Sequence, residues 1–354
     1  MHTERRLPHR HQNRQRGQPQ RNPARLAFRP HPPNRQGHGR TGSHYRIIEW
    51  KDRLTGAAKQ APAYEAAGTA QEWNAEIGQY LTGNSRLCLA VGTALAAPLI
   101  GLLGMEAGGF HLFGDSRDGK STAARIALSV WGDPAALMQT WTGTAHGFTN
   151  LANARNDGLL VLDEIGQANP RQVSQTAYSV INGVSKVQGA KEGGNRESTR
   201  WKTLLFSTGE KPLDAFIRRH GKDWNAGQAA RLPSIPGNAG RGLGIYDRLH
   251  GFPNGAALSE HLTAAAARQH GTIGRAFIAA LQNDPAALQT AKERQNAFMQ
   301  TLPELNGQAR TAPTFTPDTF GTKIGFVQFH NAVYKVPASR IRQPNAGAIS
   351  GTGC

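Results

Sequence analysis

The clearest pattern along the chain is a change of period at about residue 109. Before it, apolar positions recur at helical spacing. Residues 69–81 predict an amphipathic helix with Thr69 as its N-cap, and residues 87–104 form an apolar helical stretch. After it, short unbroken apolar runs alternate with helical segments. Residues 109–113, 137–141, 158–162 and 203–206 predict strands, and residues 120–131, 148–154, 170–180 and 212–219 predict helices. Continuous apolar strands separated by helices imply a parallel sheet, because each strand must meet apolar neighbours on both of its faces. Residues 256–281 and 285–302 read as an Ala-rich helical appendage. The expected organisation is an arm over 1–45, a helical lead-in over 46–108, an α/β core over 109–255, a helical appendage over 256–305 and an irregular tail over 306–354.

One segment requires a membrane test. Residues 87–105 run for nineteen positions without a charge, long enough to cross a bilayer, and include the small-residue pair Gly101 and Gly104. Pro98 interrupts the run, Ala and Gly dilute it, and it leads almost directly into the first strand. The expectation is a buried helix, or two helices bent at Pro98, with no membrane partner.

Charge changes the picture mainly at the N-terminus. Residues 1–50 hold eleven Arg, no Lys and two acids (Glu4 and Glu49), which accounts for +9 of the net +17. With few aliphatic residues, the stretch cannot bury enough apolar surface to offset ordering entropy, so residues 1–45 are expected to form a disordered basic arm. The two cysteines, Cys88 and Cys354, form neither a CxxC motif nor a disulfide framework. That fits a reducing, cytoplasmic setting, as does the absence of an apolar leader.

The chemistry is concentrated at strand ends. Gly114-Asp115-Ser116-Arg117-Asp118-Gly119-Lys120-Ser121, followed by Thr122, satisfies G-x-x-x-x-G-K-[ST] between a predicted strand and a predicted helix. The glycines let backbone N–H groups converge on phosphates, and the helix N-terminus adds a favourable dipole. Lys120 would reach the β- and γ-phosphates of ATP, and Ser121 would ligate Mg²⁺. The run 159–162 then ends in Asp163 and Glu164. Asp163 is the candidate for the Mg²⁺ shell and Glu164 for the general base that polarises the attacking water. The apolar run 204–206 ends in Ser207 and Thr208, candidates for sensing the γ-phosphate through a bound water.

A strand between the two motifs (137–141), together with Glu164, points to the hydrolytic branch of P-loop NTPases. These have a RecA/AAA-like parallel sheet with an additional strand, here with flanking helical regions. Between the acidic strand and the Ser207 strand, Lys186, Lys191, Arg196, Arg200 and Lys202 lie in a Gly-containing, hairpin-like excursion with Trp201. These are the candidate contacts to nucleic-acid phosphates, and an ordinary solvated loop with a buried Trp has the same composition. Arg231, in Gly227-Gln-Ala-Ala-Arg231, is a candidate arginine finger for a neighbouring subunit, or a structural salt-bridge partner.

As an ordered set, several short motifs resemble the DUF927 family, the ATPase/helicase-like module of phage, plasmid and integrative-element proteins. They include Asn84-Ser-Arg-Leu, His111-Leu-Phe-Gly-Asp-Ser with its Gly-Lys-Ser-Thr continuation, and Val130-Trp-Gly-Asp. Asn156-Asp, Leu162-Asp-Glu-Ile-Gly-Gln, Ile181-Asn-Gly, Trp201-Lys, Leu205-Phe-Ser-Thr-Gly-Glu and Gly227-Gln-Ala-Ala-Arg complete the set. The resemblance runs from about residue 70 to 280, leaving the arm and the tail without a counterpart. It implies an ATP-driven DNA helicase or translocase in mobile-element replication, working on single-stranded DNA as a homo-oligomeric ring with a primase partner. Ser185-Lys-Val-Gln188 departs from the basic run the family tends to carry there. The same residues also suit an NTP-dependent DNA-binding switch without unwinding, a truncated and inactive remnant, or a phosphotransferase, which Glu164 and the inserted strand disfavour.

Overall fold

The computed structural model describes residues 61–187, 194, 198–220 and 231–301. The basic arm and the irregular tail expected from the sequence lie outside the described residues. Five parallel strands form one sheet: β1 (Gly108–Phe113), β2 (Gln139–Thr140), β3 (Gly158–Asp163), β4 (Thr203–Gly209) and β5 (Ser234–Pro236), in the order β2-β3-β4-β1-β5.

The apolar runs sort their side chains by the two-residue period of a strand. Leu159 and Val161 of β3 join Leu112 of β1, Phe206 of β4 and Ile235 of β5 in one core. Leu160 and Leu162, one residue out of phase, join Leu205 in the other. The first core is covered by α1 (Ala70–Glu76), α2 (Ser85–Leu102), α3 (Lys120–Ser129) and the later helices α8 (Gly255–Arg268) and α9 (Thr272–Asn283). The second is covered by α5 (Ala145–Ala154), α6 (Pro170–Asn182) and α7 (Leu213–Arg219). Two faces, each sealed by helices, explain why the strands read as unbroken apolar runs.

The strand expected over 137–141 shrinks to the two residues of β2. Asp133 accepts from the backbone N–H of Ala135 and starts a helical turn, α4 (Pro134–Leu137), with proline at its first position. Trp141, past β2, turns its indole into the second core. The strand that separates β1 from β3 in space is instead β4, which arrives later in the sequence. β5 escapes a pattern search because it is three residues long and ends in proline. It lies at the sheet edge, where the missing N–H costs no ladder bond.

α2 is one continuous helix through Pro98, not two helices bent there. Proline removes the donor that would reach the carbonyl four residues back. That carbonyl, on Ala94, accepts instead from the Trp131 indole N–H at 3.0 Å. Among the described residues α2 is the one helix long and apolar enough to cross a membrane, and its residues from Leu87 to Ile100 are almost all buried in the core. The lead-in and the later helices share that core. Ala67 and His270 exchange backbone hydrogen bonds at 2.9 and 3.0 Å, and Glu76 accepts from Arg268 and Gln269. The predicted helix 256–281 is broken at Gly271, where a φ of 73° starts α9, and α10 (Ala287–Thr301) follows.

Candidate nucleotide-binding site

The glycine-rich loop joins the C-terminal end of β1 to the N-terminus of α3. Gly119 caps that helix with a φ of 92°, and a Cβ there would lie 3.0 Å from the Ile245 side chain, so any larger residue is strained by the backbone and crowded by its neighbour. Arg117 holds a left-handed φ of 71° without being glycine, a strained position inside the loop. Lys120 is buried, and its ammonium donates to the carbonyls of Gly114 and Asp115 at 2.9 and 2.5 Å. The lysine charge therefore sits across the loop. Loop backbone, ammonium and helix N-terminus are a donor set suited to a polyphosphate.

At the end of β3, Asp163 and the following Glu164 meet this loop beside the end of β4. Ser121 donates to Asp163 Oδ1 at 3.1 Å, and Thr208 donates to the same oxygen at 2.5 Å. The backbone N–H of Glu164 donates to the Thr208 hydroxyl at 2.9 Å. Glu164 stands in the left-handed region (φ 54°, ψ 81°), and its Oε1 accepts from Gly166 N–H at 3.0 Å. A serine hydroxyl and a half-buried aspartate within hydrogen-bond distance, at the mouth of a phosphate loop, are hard oxygen donors of the kind Mg²⁺ takes together with water and phosphate oxygens.

The fold separates Ser207 from this group. Its side chain points to the opposite face of β4, is fully buried, and accepts from the Trp141 indole at 3.0 Å. It lies 2.8 Å from His111 Nδ1, while His111 Nε2 lies 2.9 Å from the carbonyl of Lys211. The carbonyl can only accept, so Nε2 carries the proton and Nδ1 accepts from Ser207. The result is a one-way chain from Trp141 through Ser207 and His111 to Lys211. Burial drives the His111 pKa down to about 4, which keeps the ring neutral. A γ-phosphate sensing role for Ser207 has no geometric basis here, because its donor and acceptor capacity serve the core.

Arg231 lies at the other end of the sheet. Its Nε and Nη2 both donate to Glu106 Oε2, at 3.0 and 2.7 Å, and its carbonyl packs against Gly108 at the start of β1. The length of β1 separates that point from the phosphate loop of the same chain by roughly 20 Å.

The basic excursion has a hairpin base. Val184 and Arg200 form an antiparallel bridge, and Ser185 N–H donates to Thr199 O at 2.9 Å. Lys186 and Arg200 are exposed on it, whereas Lys191 and Arg196 lie outside the described residues. Lys202 donates to the Met105 carbonyl at 2.7 Å. Trp201 is buried, with its indole N–H on the Val180 carbonyl, so it packs the core and offers no face for base stacking.

Several contacts around the loop have no signal in the local sequence. Ser116 donates to Glu210 at 2.9 Å, joining the phosphate loop to the end of β4. A second glycine-rich stretch, 237–244, flanks the loop from the β5 side. Gly237 would carry a Cβ 3.3 Å from the Lys120 side chain, Gly244 packs on the Asp118 carbonyl, and Ile245 N–H donates to that carbonyl at 2.9 Å. Arg86 holds this stretch through the carbonyls of Pro236 and Asn238. Glycine occupies positions 237, 240, 242 and 244, but nothing in the sequence places the stretch beside the loop.

Sheet order, phosphate loop and paired acids together define a P-loop-like α/β protein. Residues 35–200 match the family model of a domain of unknown function, DUF927, the family that the sequence motifs resemble. The match takes in residues 35–45 of the stretch read as an arm without counterpart and stops just before β4. The structure of SCCmec type IV Cch, titled an active helicase, is similar in fold, with a TM-score of 0.54 and 19% identity. That likeness covers 77% of this chain, and the chain spans 48% of the length of Cch. NtrX from Brucella abortus in complex with ADP is matched at a TM-score of 0.30 and 16% identity, over 82% of this chain and 64% of NtrX, too remote to carry an argument. No curated protein matches the chain.

Proposed function

We propose that the chain is an ATPase that couples Mg²⁺-dependent ATP hydrolysis to movement on DNA, as a helicase or translocase in the replication of a mobile element. The observation that carries this reading is the convergence of Ser121, Asp163, Thr208 and the Glu164 backbone beside the buried Lys120. Asp163 Oδ1 takes two hydroxyl hydrogen bonds, which orients its second oxygen for the water shell of Mg²⁺. The ion, when bound with nucleotide, neutralises charge on the β- and γ-phosphates. Lys120 exchanges its loop carbonyls for phosphate oxygens. Glu164, released from Gly166, orients and deprotonates the attacking water.

The motor reading further uses a ring. Arg231 is remote from the phosphate loop of its own chain, so it acts as a finger only on a neighbouring subunit. Lys186 and Arg200 at the hairpin base, with Lys202 and with Lys191 and Arg196 of the intervening sequence, are the proposed contacts to single-stranded DNA, with a primase as a further partner. The test is phosphate release by the full chain, with and without single-stranded DNA, for wild type, Lys120→Ala and Glu164→Gln. Hydrolysis stimulated by DNA and abolished in both variants is the expected outcome. Folded protein that binds ATP but releases no phosphate overturns the motor and favours the nucleotide-dependent switch.

A further inference from the structure

Thr208 occupies an unusual position. Its side chain is 1% exposed, and its single hydroxyl is engaged on both sides. It donates to Asp163 Oδ1 and accepts from the backbone N–H of Glu164. These are consecutive residues with separate tasks, one on the metal side and one on the water side. Glu164 also stands in a left-handed conformation, which a non-glycine residue keeps only where its neighbours hold it. The hydroxyl proton is committed to Asp163, so none remains for a phosphate oxygen.

We propose that Thr208 is a positioning residue that clamps Asp163 and Glu164 in register, acting through these two acids and not by touching the γ-phosphate. The register of the sheet makes this possible. β4 lies between β1 and β3, so its C-terminal end stands between the glycine-rich loop after β1 and Asp163 at the end of β3. The clamp ties the Mg²⁺ ligand set to the backbone of the base. Removing the hydroxyl therefore weakens metal-dependent binding as well as hydrolysis, which loss of a phosphate sensor would not do.

This inference rests on the nucleotide reading above, and the test separates the two. ATP affinity of the full chain is measured by calorimetry in EDTA and in Mg²⁺, alongside phosphate release, for wild type, Thr208→Val, Thr208→Ser and Lys120→Ala. Thr208→Val is expected to bind ATP in EDTA like wild type, to lose about tenfold of the Mg²⁺-dependent gain in affinity, and to hydrolyse slowly. Thr208→Ser restores both. A Thr208→Val protein with the full Mg²⁺ gain, whether hydrolysis is slowed or not, overturns the clamp. If Thr208→Val does not fold, Thr208→Cys, whose thiol is a weak donor, takes its place with the same expected outcome. If Lys120→Ala binds ATP like wild type, the nucleotide reading itself falls and the clamp falls with it. If Lys120→Ala alone loses binding, only the clamp is refuted.

Discussion

His111 shows at the residue scale how the fold fixes a charge state. The sequence offers a histidine in an apolar strand just before a phosphate loop, a place where a functional role is easy to imagine. In the structure it is fully buried, neutral, and bonded on both nitrogens between Ser207 and Lys211. Its pKa, near 6.5 in an unfolded chain, falls to about 4. Between those values the unfolded chain takes up a proton that the folded chain refuses. The stability this group contributes is therefore complete above pH 6.5 and is lost as the pH falls through 4, by about 3 kcal/mol in all. Urea midpoints measured from pH 7.5 to 4.5 should drop steeply below 6.5 in wild type, and less steeply in His111→Gln. An equal pH dependence in the variant would mean that other groups govern it. Ser207 shows the converse limit of sequence reading. Ser207 and Thr208 are adjacent hydroxyls at a strand end, and only the pleat sends one to the core and the other to the acids.

The lesson at the scale of elements is that a helix can be completed by a distant side chain. Proline at position 98 leaves a bend open as one of two outcomes, because it deprives the Ala94 carbonyl of its partner. The helix continues unbroken, because Trp131, at the end of α3, donates to that carbonyl. Removing the donor should leave a buried carbonyl unsatisfied at a cost of about 1–3 kcal/mol, in addition to the lost packing of the ring. In a double-mutant cycle Trp131→Phe should cost less in a Pro98→Ala background, where the helix supplies its own N–H to Ala94. Thermal denaturation of the four proteins measures this coupling, and additive effects would show that the indole bond does not support the helix. Thr69 needed no such help. Its hydroxyl accepts from Glu72 N–H at 3.1 Å, and the cap expected from sequence stands where its local pattern put it.

At the scale of the whole molecule, the sheet order decides what each basic residue can do. Parallel strands place all loops of one kind at one end, so the phosphate loop, Glu164 and Thr208 gather at the C-terminal edge while Arg231 lies at the other. The ion pair between Arg231 and Glu106 is exposed, with the arginine side chain 37% accessible, and is worth little to stability. Under the ring proposal Arg231→Ala should bind ATP normally, melt like wild type, and hydrolyse about a thousandfold more slowly. Mixing it with Lys120→Ala, each inactive alone, should recover part of the activity, because some interfaces then pair an intact loop with an intact arginine. No recovery on mixing, or an equal defect in Glu106→Ala, would return Arg231 to a structural role.

The sequence by itself determined the glycine-rich loop between a strand and a helix, the acidic strand end and the parallel character of the sheet. Each depends on neighbours within a few positions: glycines at a tight turn, apolar runs long enough for a strand, a lysine at a helix start. The tertiary structure alone decided which strand stands between β1 and β3, which hydroxyl meets the acids, and that 237–244 flanks the loop. It also decided that Trp201 packs into the core. Those outcomes depend on which face of a strand a residue takes and on contacts spanning about 40 to 150 positions. The local pattern carries no record of such distances, because one apolar period suits many strand orders.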